Sequence, residues 1–269
     1  MSKRSFKLPG RPWAFATACC LLLTVLLSLP VHGQGTGWYC VRAKNHAQPM
    51  ADAPLRVAEE YGGYYIDHRH TDPNASDKVV YLTFDAGYEN GNVAKILDTL
   101  DEEGVSAAFF VLGQLPTSHP DLIRRMAEEG HLVCNHTYTH KNLCGAPAGA
   151  LTAELKRLEE ACAAIGVTMS PYYRPPEGCF DTAMLKEARA AGYKTVFWSF
   201  AYAAWDNGKQ PDPAAAKAKI LENLHNGGVI LLHPTSATNA AILGDVIREI
   251  KAMGYRFGTL DELTGGEGS

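Results

Sequence analysis

Val80-Tyr81-Leu82-Thr83-Phe84-Asp85-Ala86-Gly87-Tyr88-Glu89-Asn90-Gly91, the stretch VYLTFDAGYENG, carries an unbroken apolar segment into a glycine-rich turn. Residues 79–84 read as a strand buried on both faces, the pattern of a parallel sheet. A single carboxylate, Asp85, stands where that strand ends, and an alanine, Ala86, follows it. From there the chain alternates regularly. Helical periodicity over 92–103, 121–129, 151–165, 182–191, 213–225 and 240–253 stops in most cases at a glycine. Between these helices, short apolar runs at 106–112, 131–135, 168–174, 194–200, 229–233 and 255–258 read as six further strands. Repeated strand–helix units of this kind make a parallel sheet. Seven strands in a domain of this length favour a closed or nearly closed barrel over an open doubly wound sheet.

The polar residues fall at one kind of place. Asp85 follows the first strand, Asn135 and His136 the third, Arg174 the fourth and His233 the sixth. In a parallel barrel the carboxyl ends of all strands open on one face, where catalytic groups gather. Each residue alone is as well explained as a cap or turn; their shared position is what points to a site. His136 and His140 are four apart, a spacing that on a helical turn puts both imidazoles on one side. Two imidazoles with a carboxylate suit zinc, cobalt, nickel or iron better than calcium or magnesium. Arg174, between Tyr173 and Pro175, can hold a carboxylate such as Asp85 ionised. His233, delivered by a buried strand, reads as a general acid or as a core histidine. Trp205, in the loop after the fifth strand, is the better candidate for stacking on a sugar ring; Trp198 reads first as core. His68, His70, His119, His131 and His225 read as structural or solvent-facing.

The N-terminus has a different composition. Lys3, Arg4, Lys7 and Arg11 precede an apolar run over 14–29, the order of a secretory signal peptide or membrane anchor over 1–33. The remainder is thereby expected outside the cytoplasm, secreted or anchored and facing the cell wall. Without the four basic residues of that segment, 21 basic side chains face 29 acidic ones, a net charge of −8. Such a chain is a poor partner for nucleic acid or anionic lipid. Five cysteines remain, Cys40, Cys134, Cys144, Cys162 and Cys179, without paired C-x-x-C spacing. Buried thiols with one disulfide fit that pattern better than a structural zinc site. Residues 34–77 are aromatic and weakly periodic, an extension expected to pack on the barrel, and 264–269 is expected to be a flexible tail.

Taken together, TFDAGYENG (83–91), HTYTH (136–140), RPPEG (174–178) and LLH (231–233) resemble the polysaccharide deacetylase (NodB-homology) family of carbohydrate esterases. The likeness runs from about residue 78 to 263. YENG after the first motif, FWS at 197–199 and Lys44-Asn45-His46-Ala47-Gln48-Pro49 are similar to the PdaA-type, delta-lactam-biosynthetic group within it. The resemblance implies a distorted (β/α)7-type barrel that removes N-acetyl groups from an aminosugar polymer. It implies Asp85 as base, Arg174 as the residue positioning it, His233 as acid, and His136 and His140, with Asp85, as metal ligands. Tyr173, Pro175 and Trp205 are expected to meet substrate, and backbone N–H groups near Tyr173 to hold the oxyanion.

The family usually carries a second aspartate, a metal ligand, where this chain has Ala86, and aspartates before the tryptophan where it has Ala204. A divalent metal, zinc or similar, is therefore expected to bind weakly. The implied partner is peptidoglycan, specifically N-acetylmuramic acid freed of its peptide, acted on by a monomer; in a sporulating organism the product would feed the muramic delta-lactam of the spore cortex. Two rivals remain open from the residues alone: a non-catalytic glycan-binding protein on a degenerate scaffold, and a metal-dependent hydrolase of another bond such as a phosphoester.

Overall fold

Among the residues described by this computed structural model, 35–265, the main sheet has nine strands. They are Gly63–Tyr64 (β1), Lys78–Ala86 (β2), Ala108–Val111 (β3), Leu132–Asn135 (β4), Tyr172–Tyr173 (β5), Lys194–Val196 (β6), Phe200–Ala201 (β7), Gly228–Leu232 (β8) and Tyr255–Phe257 (β9). The signal or anchor expected over 1–33 lies outside the described residues, as does the tail from residue 266 onward. Among the described residues no helix is long and apolar enough to cross a membrane.

The strands lie in the order β7-β8-β2-β3-β4-β5-β6-β1, with β9 also against β2 and every named pairing parallel. Val80 pairs with Gly228 on one edge and Phe257 on the other. β9 thus occupies the start of the edge that β3 takes from Thr83 onward. β6 and β7 are one run of chain that changes partners: Lys194 pairs with Tyr172, and Phe200 with Ile230. Between them Phe197 N–H donates to Tyr64 O (2.7 Å) and Ser199 N–H to Val229 O (3.0 Å). That run closes the ring, so the architecture is the distorted parallel barrel the pattern predicts. All seven expected strands are present, the fourth cut to two residues. Pro171, without an N–H, precedes it, and Pro175 and Pro176 follow soon after.

β2 shows how the barrel aims its chemistry. Successive side chains of a strand point to opposite faces. Val80, Leu82, Phe84 and Ala86 join the apolar layer beneath the helices Val93–Glu103 and Ala237–Ala252, with Phe84 stacked on Phe109 at 5.0 Å. Val79 and Tyr81 belong to a separate interior cluster. Thr83 and Asp85 continue that alternate face and place a carboxylate at the strand tip.

The segment before β2 packs on the ring through aromatic contacts. Trp38, 5% exposed, stacks on Phe197 at 4.4 Å and donates from Nε1 to Trp198 O at 2.8 Å. Gln48 Nε2 donates to the carbonyls of Asp67, His70 and Asn226. Buried Asp67 accepts from Arg69 (2.7 Å) and the Tyr81 hydroxyl (2.7 Å). Beneath β7, buried His225 meets the Ser199 hydroxyl at 2.8 Å.

Among the described residues one disulfide, Cys144–Cys179, closes a span of 35 residues, and Cys40, Cys134 and Cys162 are free thiols. A cross-link of that span reduces the entropy of the unfolded chain by an amount worth about 3–4 kcal/mol. Replacing both cysteines (Cys144→Ser, Cys179→Ser) is expected to lower the urea-unfolding free energy by that order. A loss below about 1 kcal/mol would show that the bridge adds little to stability.

Candidate active site

Arg174 forms the floor of the site. It is fully buried beyond Pro171 and the two-residue β5, and its guanidinium lies 4.0 Å over the Phe110 ring. Nε donates to Val196 O (3.0 Å), Nη1 to Asp85 Oδ1 (2.7 Å), and Nη2 to Thr83 Oγ1 (2.9 Å) and Phe197 O (3.1 Å). Four of the five N–H donors of a guanidinium are thereby satisfied, which a buried cation requires. Burial pushes the Asp85 carboxyl up, but the Arg174 charge, the largest of the attractions opposing it, and the Arg174 hydrogen bond help to outweigh it. Asp85 therefore titrates below the ordinary carboxylate range and is ionised at neutral pH.

His136 and His140 do not lie on a helical turn as their spacing suggested. They follow β4 in a loop whose backbone enters the left-handed region at Thr137 (φ 70°) and His140 (φ 58°). Local polar groups enforce that path. Asn135 Oδ1 accepts from Thr137 N–H (2.9 Å), Thr137 Oγ1 accepts from His140 N–H (3.0 Å), and Glu154 binds both N–H and hydroxyl of Thr139. The imidazole rings still meet, edge to face, with centroids 4.9 Å apart. His136 Nδ1–H donates to Arg174 O at 2.8 Å, which fixes its tautomer and leaves Nε2 bare, 3.5 Å from Asp85 Oδ2. Burial pushes this imidazole down to about 4, against the attraction of Asp85, so it is neutral and able to ligate.

The donor set fits a divalent cation held by the two imidazoles, with the free Asp85 oxygen beside His136. Among the described residues no three His, Cys, Asp or Glu side chains form a ready metal cluster, and one Asp85 oxygen is bound to Arg174. Ala86 is not a hole in this site. It is fully buried on the opposite face of β2, in the layer under the helices.

His233 follows β8 and shares a cavity of about 860 Å³ with Asp85, His136 and His140. Its Nδ1 is buried without a hydrogen-bond partner, so Nε2 is the nitrogen open to the cavity. Burial lowers its pKa, while Asp85 raises it and Arg174 and His140 lower it further. Trp205, 61% exposed, lies 5.9 Å from the His233 ring and lines the same cavity. Two expected substrate contacts are corrected. The Tyr173 side chain is buried among Leu151, Leu155 and Met184, and Pro175 is buried; neither lines the cavity. The Arg174 N–H, next to the expected oxyanion donor, is committed to Asn135 O (3.0 Å). Glu177 and Gly178 of that segment line the cavity instead, with Trp198, Tyr88, Leu112 and Arg42. No sequence signal marked Arg42 or Leu112; RPPEG and YENG did contain Glu177 and Tyr88.

Residues 72–196 match the family model described as polysaccharide deacetylase, and the chain belongs to that family. It is a carbohydrate deacetylase, hydrolysing N-acetyl groups of aminosugar polymers. Among its relatives is the peptidoglycan-N-acetylmuramic acid deacetylase PdaA of Bacillus subtilis strain 168, 37% identical over 235 residues, covering 87% of each chain. The solved structure of that PdaA, titled a family 4 carbohydrate esterase, superposes with a TM-score of 0.79 at 36% identity, over 86% of this chain and 97% of that one. A chitooligosaccharide deacetylase of Rhizobium leguminosarum bv. trifolii is 34% identical over 189 residues, 70% of this chain and 84% of its own.

Arg174→Met should leave Asp85 with an uncompensated buried charge and destabilise the fold by about 3–5 kcal/mol in urea. Arg174→Lys should not restore it, because an ammonium cannot span four acceptors in that plane; a lysine variant as stable as wild type would contradict this. A second expectation concerns acid. His136 and His225 are both held by burial at about 4, so between pH 6.5 and 4 the unfolded chain binds more protons than the folded one. Stability should therefore fall as pH falls across that window, by roughly 3 kcal/mol per histidine at most. Urea midpoints measured at pH 7, 5.5 and 4.5 check it, and His225→Gln, away from the cavity, should flatten the slope.

Proposed function

We propose that this chain removes the acetyl group from N-acetylmuramic acid residues of peptidoglycan outside the cytoplasm, leaving an amine beside the lactyl carboxyl from which a delta-lactam can close. The observation that carries the reading is one cavity holding an arginine-bound carboxylate, two facing imidazoles and a third imidazole with one open nitrogen. Likeness to a muramic acid deacetylase supports the choice of sugar.

Asp85, kept ionised by Arg174, accepts the proton of the water that attacks the acetamide carbon. Arg174 also sets its direction, because Oδ1 is tied down and Oδ2 alone is left to act. His233 delivers a proton from Nε2 to the departing sugar amine. Its lowered pKa makes the protonated form a stronger acid, and the nearby Asp85 charge helps populate that form. Trp205 and Trp198 offer flat apolar faces to sugar rings. A divalent cation bound by His136 and His140 would polarise the acetyl carbonyl; with two imidazoles and one Asp85 oxygen as its protein ligands, its affinity is low.

The second reading, a glycan-binding protein without turnover, rests on Ala86 and Ala204. Acetate release separates the two. Incubation of purified protein with peptide-free glycan should lower the mass of muramic acid residues by one acetyl group, and a chelator should suppress this until zinc is restored. Asp85→Asn should reduce kcat/KM by about a hundred- to ten-thousandfold. Full activity in that variant would remove Asp85 as the base, and unaltered glycan with zinc present would favour the binding protein.

A further inference from the structure

The cavity wall carries two carboxylates, Asp85 and Glu177, and among the described residues a single arginine or lysine, Arg42. Asp85 is neutralised from beneath by Arg174, and Glu177 accepts from Asn142 at 3.1 Å. Arg42 forms no ion pair with any described residue. Its Nη2 donates to the Ala201 carbonyl at 3.2 Å, and its guanidinium carbon lies 5.5 Å from the centre of the Phe200 ring. The side chain is thus docked against β7 by one hydrogen bond and one aromatic face, which leaves most of its five donors unused.

Its backbone is equally placed. Arg42 follows Cys40–Val41, which pairs antiparallel with Met50–Ala51. On one side, Trp38 and Cys40 both donate to Trp198 O; on the other, His46 Nδ1 meets Leu224 O at 2.6 Å. The extension holds an unpaired guanidinium at the cavity wall of a chain with net negative charge. A cation so held, beside a site for uncharged acetamide, is free to meet an anionic group of a bound ligand.

We propose that Arg42 is a specificity-determining residue that binds the carboxylate of the lactyl ether on the acetylated sugar, so that the site selects acidic muramic residues over sugars lacking that group. The inference rests on the muramic acid reading above. A guanidinium matches a carboxylate with two parallel hydrogen bonds. A stem peptide on the lactyl group converts that carboxylate into an amide and removes the charge; glucosamine has no such group.

Two forms of one peptide-free peptidoglycan tetrasaccharide test this: the free acid, and the same molecule with its lactyl carboxyls converted to methylamides. Calorimetric binding needs no turnover. Wild-type protein should bind the acid about ten- to hundredfold more tightly than the amide, the range of a charged hydrogen-bonded contact. Arg42→Gln should bring that ratio near one, and Arg42→Lys should keep part of it, with the acid-to-amide ratio of KM following the same order. Equal binding of both forms by wild type, binding of neither, or a ratio unmoved in Arg42→Gln would overturn the proposal. If the acid is preferred but no acetate is released, the hydrolase reading fails and Arg42 keeps its role. If both forms are deacetylated without preference, the hydrolase reading stands and Arg42 loses its role.

Discussion

The site depends on one buried cation. Arg174 sits where burial of an unpaired guanidinium would be strongly unfavourable, and the surrounding chain is arranged to answer four of its five donors. Through Thr83 and Asp85 it fixes the tip of β2; through the carbonyls of Val196 and Phe197 it fixes the end of β6; and its own carbonyl orients His136. The same residue therefore sets the protonation state of the carboxylate, the tautomer of an imidazole and the place where the ring of strands changes partners. Structure and chemistry share a single residue here, so neither can be altered alone.

That arrangement also divides the work of Asp85. One oxygen is spent on Arg174, which leaves one to face His136 and the cavity. A carboxylate so divided suits a base with a fixed direction better than it suits a bidentate metal ligand. The neighbouring positions support the division. Ala86 and Ala204 stand where the family resemblance implies carboxylates, and both are buried in the same apolar layer that packs under the helices. Aspartates at these places would need either apolar burial or a different local backbone. The orphaned Nδ1 of His233 matches the same picture, since it has no carboxylate to hold its proton. The base and its arginine are kept, while His233 is left without a local partner to orient its proton.

The alternation of strand and helix was legible because burial of both sheet faces writes long apolar runs, and helix ends write glycines. The tips of β2, β4, β5 and β8 were legible for the same reason: polar residues that end apolar runs stand out. The backbone between His136 and His140 was not, because H-x-x-x-H carries the same letters on a helix and on a loop, and what decides is whether Asn135, Thr137 and Glu154 bind the chain from outside it. Tyr173 failed for a related reason. It adjoins Arg174 in sequence, but strand alternation sends its side chain to the opposite face, into the cluster with Leu151 and Met184. Arg42 lies in a weakly periodic segment, and only its docking on Phe200 and Ala201 brings it to the cavity.

The rim is held by backbone that resists its own conformation. Thr137, His140 and Glu177 are non-glycine residues with φ between 58° and 70°, each costing of order 1 kcal/mol or more. Such residues persist only where their surroundings over-determine them. Here Asn142 bonds to Glu177, the Cys144–Cys179 bridge joins the two loops that carry these residues, and Gly145 N–H bonds to Asp181. At Gly178, φ is 66° and any Cβ would come within 2.7 Å of Trp198, so the loop passes against the indole only because that position has no side chain. The strained residues bring His140 and Glu177 to the cavity from two loops, which the cross-link joins. A disulfide placed there ties together the two loops that carry these strained residues, so the site's shape is held by covalent and hydrogen-bonded contacts of the chain itself.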